Sequence, residues 1–367
     1  MRMAFVSSFG LGNGMTSCRN NVRTRCEFSL FHHQKNVGGQ FRQVPSTRVR
    51  MCESAETEKP QESVTESSPK SKRVAPTVPQ GFTPPEPRTF FVRPDQFLNV
   101  ITGSVGSAMR LYSGALVSGY SLGIADGKIT ESSSSLPMKR PEQPLEVYEF
   151  EACPFCRKVR EALTILDLDV YIYPTPKNGV RFRPLVENLG GKQQFPYLVD
   201  PNTGFADYES SKIVEYLFNT YGDGNVPLGL RLGAVTTLSS GLATLPRSGR
   251  GASRAGSKVV FPEFPLELWS YEPSPFCKIP REALCELELP YLLHNTARGS
   301  VKRAELKERV GRFQVPYLED PNTGVKMFES ADIVKYLYDT YGENAPGATA
   351  ELPEEFSMIA PKLPTEN

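Results

Sequence analysis

Two cysteines separated by two residues, Cys153 and Cys156, are the residues of this chain best placed to do chemistry. They enclose Pro154 and Phe155, and the motif lies between a short apolar run and a stretch with helical spacing. A thiol at a helix start faces the positive end of the helix dipole. In Cys-x-x-Cys motifs the pKa of the first thiol falls from ~8.5 to roughly 3.5–7.5. We therefore expect an exposed, nucleophilic Cys153, with Cys156 resolving the mixed disulfide that Cys153 forms.

Positive charge and a helix-compatible proline follow the first cysteine. Arg157 and Lys158 lie in the next turn, where their charges would favour a thiolate. Pro154 suits the first helical turn because its missing N–H has no partner there. A metal site is not expected, since zinc needs four nitrogen or sulfur ligands and His294 is the only histidine near the motifs in sequence.

A second, altered copy of the motif occupies residues 274–277, which are Ser-Pro-Phe-Cys. Ser274 replaces the first cysteine, and a hydroxyl with no nearby base is a poor nucleophile. Pro280 falls inside the helix predicted for this copy and should disturb that turn. Cys285 lies near the apolar side of the helix, so we expect it to be buried and inert. The copy either binds a ligand without reacting or is a purely structural partner domain.

The two motifs belong to a tandem repeat, which ordered blocks of identical or similar residues indicate. The matching blocks are residues 145–148 and 266–269, 160–163 and 281–284, 196–198 and 316–318, 200–204 and 320–324, 209–210 and 329–330, and 221–222 and 341–342. Chance does not give so many blocks in the same order.

Each repeat predicts strands and helices in the order β-α-β-α-β-β-α. In the first repeat the predicted strands are residues 145–150, 168–173 and 194–199, and residues 200–204 are a turn. The spacing of Val159, Ala162, Leu163 and Leu166 predicts the first helix. The order indicates the α/β class and a thioredoxin-like fold, with helices on the faces of a small mixed sheet.

Two further places in the first repeat have the residue types of a binding site. Pro196 opens a strand after a polar loop, where proline is often only an edge device. Ser210, preceded by Glu209, opens a helix and is expected to cap it. The same helix start offers N–H and hydroxyl donors to a ligand carboxylate.

These motifs together resemble the N-terminal domain of glutathione S-transferases. The resemblance covers roughly residues 145–222 and 266–342, and it is closest to the glutaredoxin-like branch that includes membrane-associated prostaglandin E synthase. It implies glutathione as cofactor and a cis Pro196 facing the dithiol. It also implies that Tyr197 pairs with the glutathione backbone, and that Glu209 and Ser210 hold the γ-glutamyl end.

The resemblance leads to a prediction of function with two alternatives. We expect a glutathione-dependent thiol–disulfide oxidoreductase or deglutathionylase that acts on protein disulfide or glutathionylated substrates through the first motif. One alternative is a non-catalytic thioredoxin-like binding module on a plastid complex or membrane surface. The other is a glutathione-dependent transferase or isomerase, which is weakened because a second repeat follows where transferases have a helical domain.

The chain ends differ from the repeats in composition. The first fifty residues hold eight basic residues and one acid, which with residues 49–52 predicts a chloroplast transit peptide over 1–52. Residues 53–90 predict a disordered linker, and residues 345–367 a tail. The remainder is mildly acidic without a basic stripe, so a nucleic-acid partner is not expected.

A Gly/Ser/Leu-rich extension precedes each repeat, so the predicted domains are 91–225 and 226–344. Residues 106–120 and 229–241 share this composition, and Arg110 aligns with Arg231. Residues 97–124 are apolar enough to suggest a membrane span, but Arg110 and the many small polar residues argue against it. We expect each extension to pack on its own domain, with peripheral membrane association left open.

Overall fold

The computed structural model describes residues 74–88, 92–125, 127–137, 140–353, 356 and 360–363. The predicted transit peptide and residues 53–73 of the predicted linker lie outside these residues.

The described chain forms the predicted element order twice, each time after an extension. The first extension contains α1 (Phe97–Met109), β1 (Tyr120–Ala125) and β2 (Lys128–Ser133). The first repeat contains β3 (Leu145–Glu149), α2 (Pro154–Ile165), β4 (Val170–Pro174), α3 (Phe182–Gly190), β5 (Tyr197–Asp200), β6 (Phe205–Asp207) and α4 (Ser210–Tyr221). The second extension contains α5 (Leu228–Arg231) and α6 (Ala234–Leu242). The second repeat contains β7 (Leu266–Ser270), α7 (Pro275–Glu286), β8 (Tyr291–Asn295), α8 (Lys302–Val310), β9 (Tyr317–Asp320), β10 (Val325–Met327) and α9 (Ser330–Tyr341).

The two repeats share one eight-stranded sheet in the order β10-β9-β7-β8-β4-β3-β5-β6. Within each repeat the first two strands are parallel and the remaining pairs are antiparallel. The repeats join where β4 pairs antiparallel with β8, placing Tyr171 opposite Leu292. This pairing removes an open edge from each repeat.

Strand alternation separates two layers of core on the faces of the sheet. Val147 and its neighbours on one face belong to the main core with the apolar sides of α2, α4, α7 and α9. Tyr148, on the other face, packs with Phe182 and Leu185 of α3. Trp269 and Leu306 form the matching small cluster under α8.

The extensions are exchanged between the repeats, so the expectation that each packs on its own domain is wrong. Helix α1 packs against α7 of the second repeat, and α6 packs against α2 of the first. The extensions also cross each other. A methyl group added at Gly106 would overlap the carbonyl oxygen of Ala243, so glycine allows the close approach.

A buried ion pair lies just after the C-terminal end of each of the extension helices α1 and α6. Arg110 pairs with Glu161 at 2.7 Å, and Arg247 donates to Glu282 at 2.8 Å. Glu161 and Glu282 occupy the same position in the two repeats. Arg247, rather than the sequence-matched Arg231, is therefore the structural counterpart of Arg110.

A buried cluster of charges holds the two motif helices together. Arg160 of α2 forms an ion pair with Glu272 at 2.9 Å. Glu151 forms ion pairs with two residues of α7, Lys278 at 2.8 Å and Arg281 at 3.3 Å. All five side chains are buried. Because each charge is compensated across the junction, removing one partner should destabilise the fold strongly.

Residues 74–88 contradict the prediction of a disordered linker up to residue 90. The Phe82 ring lies 5.2 Å from the Tyr336 ring, and Phe82 packs against the main core. The tail also folds back, since the N–H of Leu363 donates to the Tyr171 hydroxyl at 3.2 Å and Lys362 pairs with Glu146 at 2.7 Å. Apolar and hydrogen-bonding groups in both segments thus find partners on the repeats.

Two other sequence-based expectations concern helices. Helix α7 continues through Pro280, because packing on both sides of the helix compensates for the hydrogen bond that proline cannot donate. Residues 97–124 divide into α1 and strand β1, and within the described ranges no helix has the length and apolar character to cross a bilayer.

Candidate functional site

Cys153 is the N-cap residue of α2, as the sequence predicts. Its backbone is extended (φ −74°, ψ 124°), Pro154 follows at the first helical position, and the N–H of Cys156 donates to its Sγ at 3.3 Å. Ser274 caps α7 in the same way and accepts the N–H of Cys277 at 3.3 Å. A cap needs an acceptor on this side chain, which sulfur and hydroxyl both supply.

The two thiols of the first motif have opposite proton affinities. Hydrogen bonding from Cys156, through its side chain and then its backbone N–H, lowers the pKa of Cys153 despite the opposing effect of burial. Burial raises the pKa of Cys156 well above its ordinary value, and the neighbouring Cys153 raises it further. The proton therefore leaves Cys153 first.

The cations after the motif do not face the sulfur, contrary to expectation. The Arg157 guanidinium donates to Glu161 at 3.2 Å and to the carbonyl of Gly106 at 3.2 Å. The Lys158 ammonium donates to the Ser211 hydroxyl at 2.8 Å. Both charges serve packing between helices, so hydrogen bonds rather than these cations favour the Cys153 thiolate.

Cys153 is only 3% exposed, contrary to the exposed sulfur that we expected from the motif. Helix α6 of the second extension packs against α2, with Gly241 beside Pro154. Phe155, which is 47% exposed, is the part of the motif that reaches solvent. The helix in contact with the start of α2 thus comes from the extension of the other repeat.

Pro196 follows a cis peptide bond, and Val315-Pro316 has the same form in the second repeat. Tyr197 begins β5, and its ring packs 4.4 Å from the Tyr208 ring in the core. The phenol is therefore occupied by packing, and the main chain of Tyr197 lies opposite Tyr148 in the pairing of β5 with β3.

Glu209 and Ser210 lie at the start of α4. The Glu209 carboxylate accepts a hydrogen bond from the Gln194 amide at 3.2 Å, and Ser210 is buried as the first helical residue. Gln194 leads into Pro196, so this bond links the helix start to the cis-proline loop. The predicted residues Pro196, Tyr197, Glu209 and Ser210 thus belong to one connected group.

The second repeat has the same arrangement, with one of the chain's own backbone N–H groups bound to its glutamate. Glu329 accepts the Gln314 amide at 2.9 Å and also the backbone N–H of Arg88 at 2.7 Å. Glu329 has φ 70°, a conformation unfavourable for a non-glycine residue, whereas Glu209 has φ −76°. A main-chain N–H is thus a group that this glutamate position binds.

The model of the glutathione S-transferase N-terminal domain matches residues 147–225 and 268–345. Both repeats are of the glutathione S-transferase N-terminal type. The match covers the sheet, the motif helix and the cis-proline loop in each repeat, which confirms the resemblance drawn from the sequence.

Solved structures add two similar proteins. The Bombyx mori glutathione transferase BmGSTD1 is 30% identical over 23% of this chain and 38% of its own, with a TM-score of 0.21. The unique trimeric glutathione transferase TDR1 of Leishmania is 13% identical over 53% of this chain and 66% of its own, with a TM-score of 0.20. The chain spans less than two thirds of either protein. Comparison with curated proteins gives no match.

Each glutathione S-transferase N-terminal domain has an arginine near its cis-proline loop that was not among the site residues predicted from the sequence. Arg183 donates from Nε to the carbonyl of Pro176 at 2.7 Å, and its guanidinium lies 4.8 Å from the Phe195 ring centre. Arg303 lies 3.8 Å from the Phe313 ring centre. Within the described part of the chain, neither guanidinium forms an ion pair. The two arginines are 120 residues apart, which is the same spacing that relates Pro196 to Pro316. This spacing is the sequence signal that could have identified them as a pair.

The second glutathione S-transferase N-terminal domain has an open cleft of about 470 Å³ at its motif. Ser274, Phe276, Arg303, Pro316 and Glu329 are among its lining residues. The domain therefore keeps a ligand-sized space although it lacks the reactive sulfur.

Proposed function

We propose that the first repeat is a glutathione-dependent thiol–disulfide oxidoreductase, with deglutathionylation of proteins as its preferred reaction. The observation that carries this proposal is the difference between the two thiols: Cys153 caps a helix and has a lowered pKa, whereas Cys156 is buried with a raised pKa. An inert pair of thiols would not need this asymmetry.

The asymmetry favours glutathione over Cys156 as the resolving thiol. The Cys153 thiolate attacks the glutathionyl sulfur of a protein–glutathione disulfide, and the protein thiolate leaves. A second glutathione thiolate then attacks that same glutathionyl sulfur, so oxidised glutathione forms and the Cys153 thiolate returns. Cys156 stays protonated through this cycle because burial opposes its ionisation.

Groups around the motif supply the contacts that a glutathione tripeptide needs. We propose that the main chain of Tyr197 pairs with the peptide, and that Glu209 and Ser210 hold the γ-glutamyl end. The Arg183 guanidinium has no ion-pair partner among the described residues and would take a carboxylate of the ligand. The bond from the Arg88 N–H to Glu329 supports the role of Glu209, since it puts an N–H donor at the equivalent carboxylate.

The burial of Cys153 favours a second candidate, the non-catalytic binding module. A sulfur that stays buried does not meet a protein disulfide. Under the first proposal, α6 must move away from Pro154 during the reaction. The two candidates therefore differ in whether the sulfur is accessible in solution.

Alkylation of the purified protein with iodoacetamide across pH, read by mass spectrometry, tests the first proposal. The rate of Cys153 alkylation should rise at a lower pH than the alkylation rate of a free cysteine. Cys285, which is also buried, is the control. Turnover of a glutathionylated peptide should survive Cys156→Ser and vanish in Cys153→Ser. Unreactive Cys153, or equal turnover in both variants, would leave the binding module as the better account.

We also propose that the protein acts in the chloroplast, on the composition of residues 1–52. Fusion of residues 1–52 to a fluorescent protein should direct it to plastids in plant cells, and a cytosolic signal would contradict the proposal.

A further inference from the structure

Helices α1 and α6 have their small polar residues inside and their large apolar residues outside. On α1 the buried residues are Gly103, Gly106 and Ser107, and on α6 they are Thr236 and Ser240. The large apolar side chains that these extension segments expose are Phe97, Leu98, Ile101, Val105, Met109, Leu111, Leu228, Leu232, Val235, Leu238, Leu242 and Leu245. This is the reverse of the pattern of a helix covering a water-soluble core.

The two helices form one continuous outer layer, which we call the extension face. They touch near Gly106, and Arg247, just after α6, donates to the carbonyl of Asn99 on α1 at 2.9 Å. The sequences of α1 and α6 contain no Asp, Glu, Lys or Arg. Leu98 and Leu238 are 74% and 66% exposed, so the apolar surface is open to solvent.

The hydroxyl groups of the extension face are bonded to their own helices. Thr102 donates to the carbonyl of Leu98 at 2.7 Å, and Ser104 donates to that of Val100 at 2.7 Å. On α6, Ser239 donates to the carbonyl of Thr236 at 3.0 Å. A protein interface usually carries about one hydrogen bond per 100–200 Å². A face whose donors are already used suits hydrocarbon better than another protein surface.

The packing of the two helices also resembles that of helices inside membranes. Contacts through glycine, serine and threonine, with aliphatic side chains outward, are typical of helices packed within membranes. A helix of 13 residues is about 20 Å long, which is shorter than the ~30 Å core of a bilayer. The helices would therefore lie in one leaflet rather than span the membrane.

Two exposed arginines flank the extension face. Arg231, at the end of α5, and Arg250, after α6, are both exposed. Asp95, just before α1, is paired with Arg93 at 2.9 Å. Neither Arg231 nor Arg250 forms an ion pair with a residue that the structure describes, and cations at the rim complement the anionic headgroups of a lipid surface.

We propose that the extension face docks the protein on the surface of a bilayer that contains anionic lipids. The α1 and α6 side chains enter the acyl boundary, while Arg231 and Arg250 contact headgroup phosphates. This docking is independent of the chemistry at Cys153.

Flotation of the full chain with vesicles of phosphatidylcholine and phosphatidylglycerol tests the proposal. The wild type should float with the vesicles, and the double variant Leu98→Glu/Leu238→Glu should lose at least about tenfold in partitioning. The matched control Leu189→Glu/Val301→Glu changes residues of similar exposure outside the face and should change partitioning by less than about twofold. Thermal melting should show all these proteins folded, since every substituted side chain is exposed.

Three results would overturn the proposal. One is recovery of the wild type entirely below the lipid layer, and another is flotation of the Leu98→Glu/Leu238→Glu protein equal to that of the wild type. The third is a dimer, seen by light scattering, that these substitutions dissociate and that binds no vesicles, in which case a second copy covers the face. Replacing Arg231 and Arg250 by glutamine should weaken binding to anionic vesicles but leave binding to pure phosphatidylcholine vesicles unchanged.

Discussion

His294 connects the two repeats through a pH-sensitive ion pair. Its ring lies on β8, with Nδ1 3.3 Å from the Asp169 carboxylate of the first repeat and Nε2 3.2 Å from Glu267 on β7. Burial lowers the pKa of His294, but hydrogen bonds to Asp169 and Glu267 outweigh burial and raise this pKa to about 9. The imidazolium is therefore the stable form in the folded protein at neutral pH.

The raised pKa predicts the size and direction of a stability change. An unfolded histidine titrates near 6.5, so the difference of roughly 2.5 pH units corresponds to up to about 3 kcal/mol. A raised folded-state pKa means that this contribution is fully present below pH 6.5. It is lost progressively as the pH rises to about 9. Replacing His294 by glutamine removes the contribution and its pH dependence together.

Urea unfolding of the wild type and the His294→Gln variant at pH 6, 7.5 and 9.5 measures this effect. The free energy of unfolding should differ most at pH 6, and the two proteins should converge at pH 9.5. Other groups that titrate in this range contribute equally to both proteins, so their effect cancels in the difference between the two free energies of unfolding. Parallel curves for the two proteins across the range would refute the assignment of the ion pair to His294.

Three other predictions concern packing and the two motifs. Gly106→Ala should lower the free energy of unfolding in urea by about 1–3 kcal/mol, because the methyl group meets the backbone at Ala243; unchanged stability would contradict the close approach. Ser274→Cys should create a dithiol with Cys277 that a small maleimide labels faster than Cys153, because position 274, although only 4% exposed, borders a cleft of about 470 Å³; equal or slower labelling would contradict that geometry. Arg183→Ala should raise KM for glutathione with little change in kcat, and lysine there should restore part of the loss; an unchanged KM would exclude ligand contact.

The sequence predicted the elements that have strong periodicity. The spacing of Val159 and Leu163 identified α2, and the turn at residues 200–204 separated β5 from β6. The hairpin of β1 and β2 was missed because its strands are rich in serine and glycine, which favour turns as much as strands. The exchange of the extensions was also missed. Composition shows which helix faces consist of small residues, but it does not show against which domain those faces pack.

The candidate site was predictable where it depends on local geometry. Cys153 is a helix cap in any chain that starts a helix at Pro154, so its role followed from the motif. Its burial was not predictable from the motif, and the helix that packs against α2, α6, comes from a distant part of the chain. The directions of Arg157 and Lys158 depend on Glu161 and Ser211, whose positions are set by helix packing.

The exchanged extensions make each half of the chain incomplete when produced by itself. A fragment ending before α6 would leave the N-terminal end of α2 and the edge of β4 uncovered, and the complementary fragment would lack α1 over α7. Two such fragments should fold well only when mixed, as a non-covalent heterodimer that restores both covers.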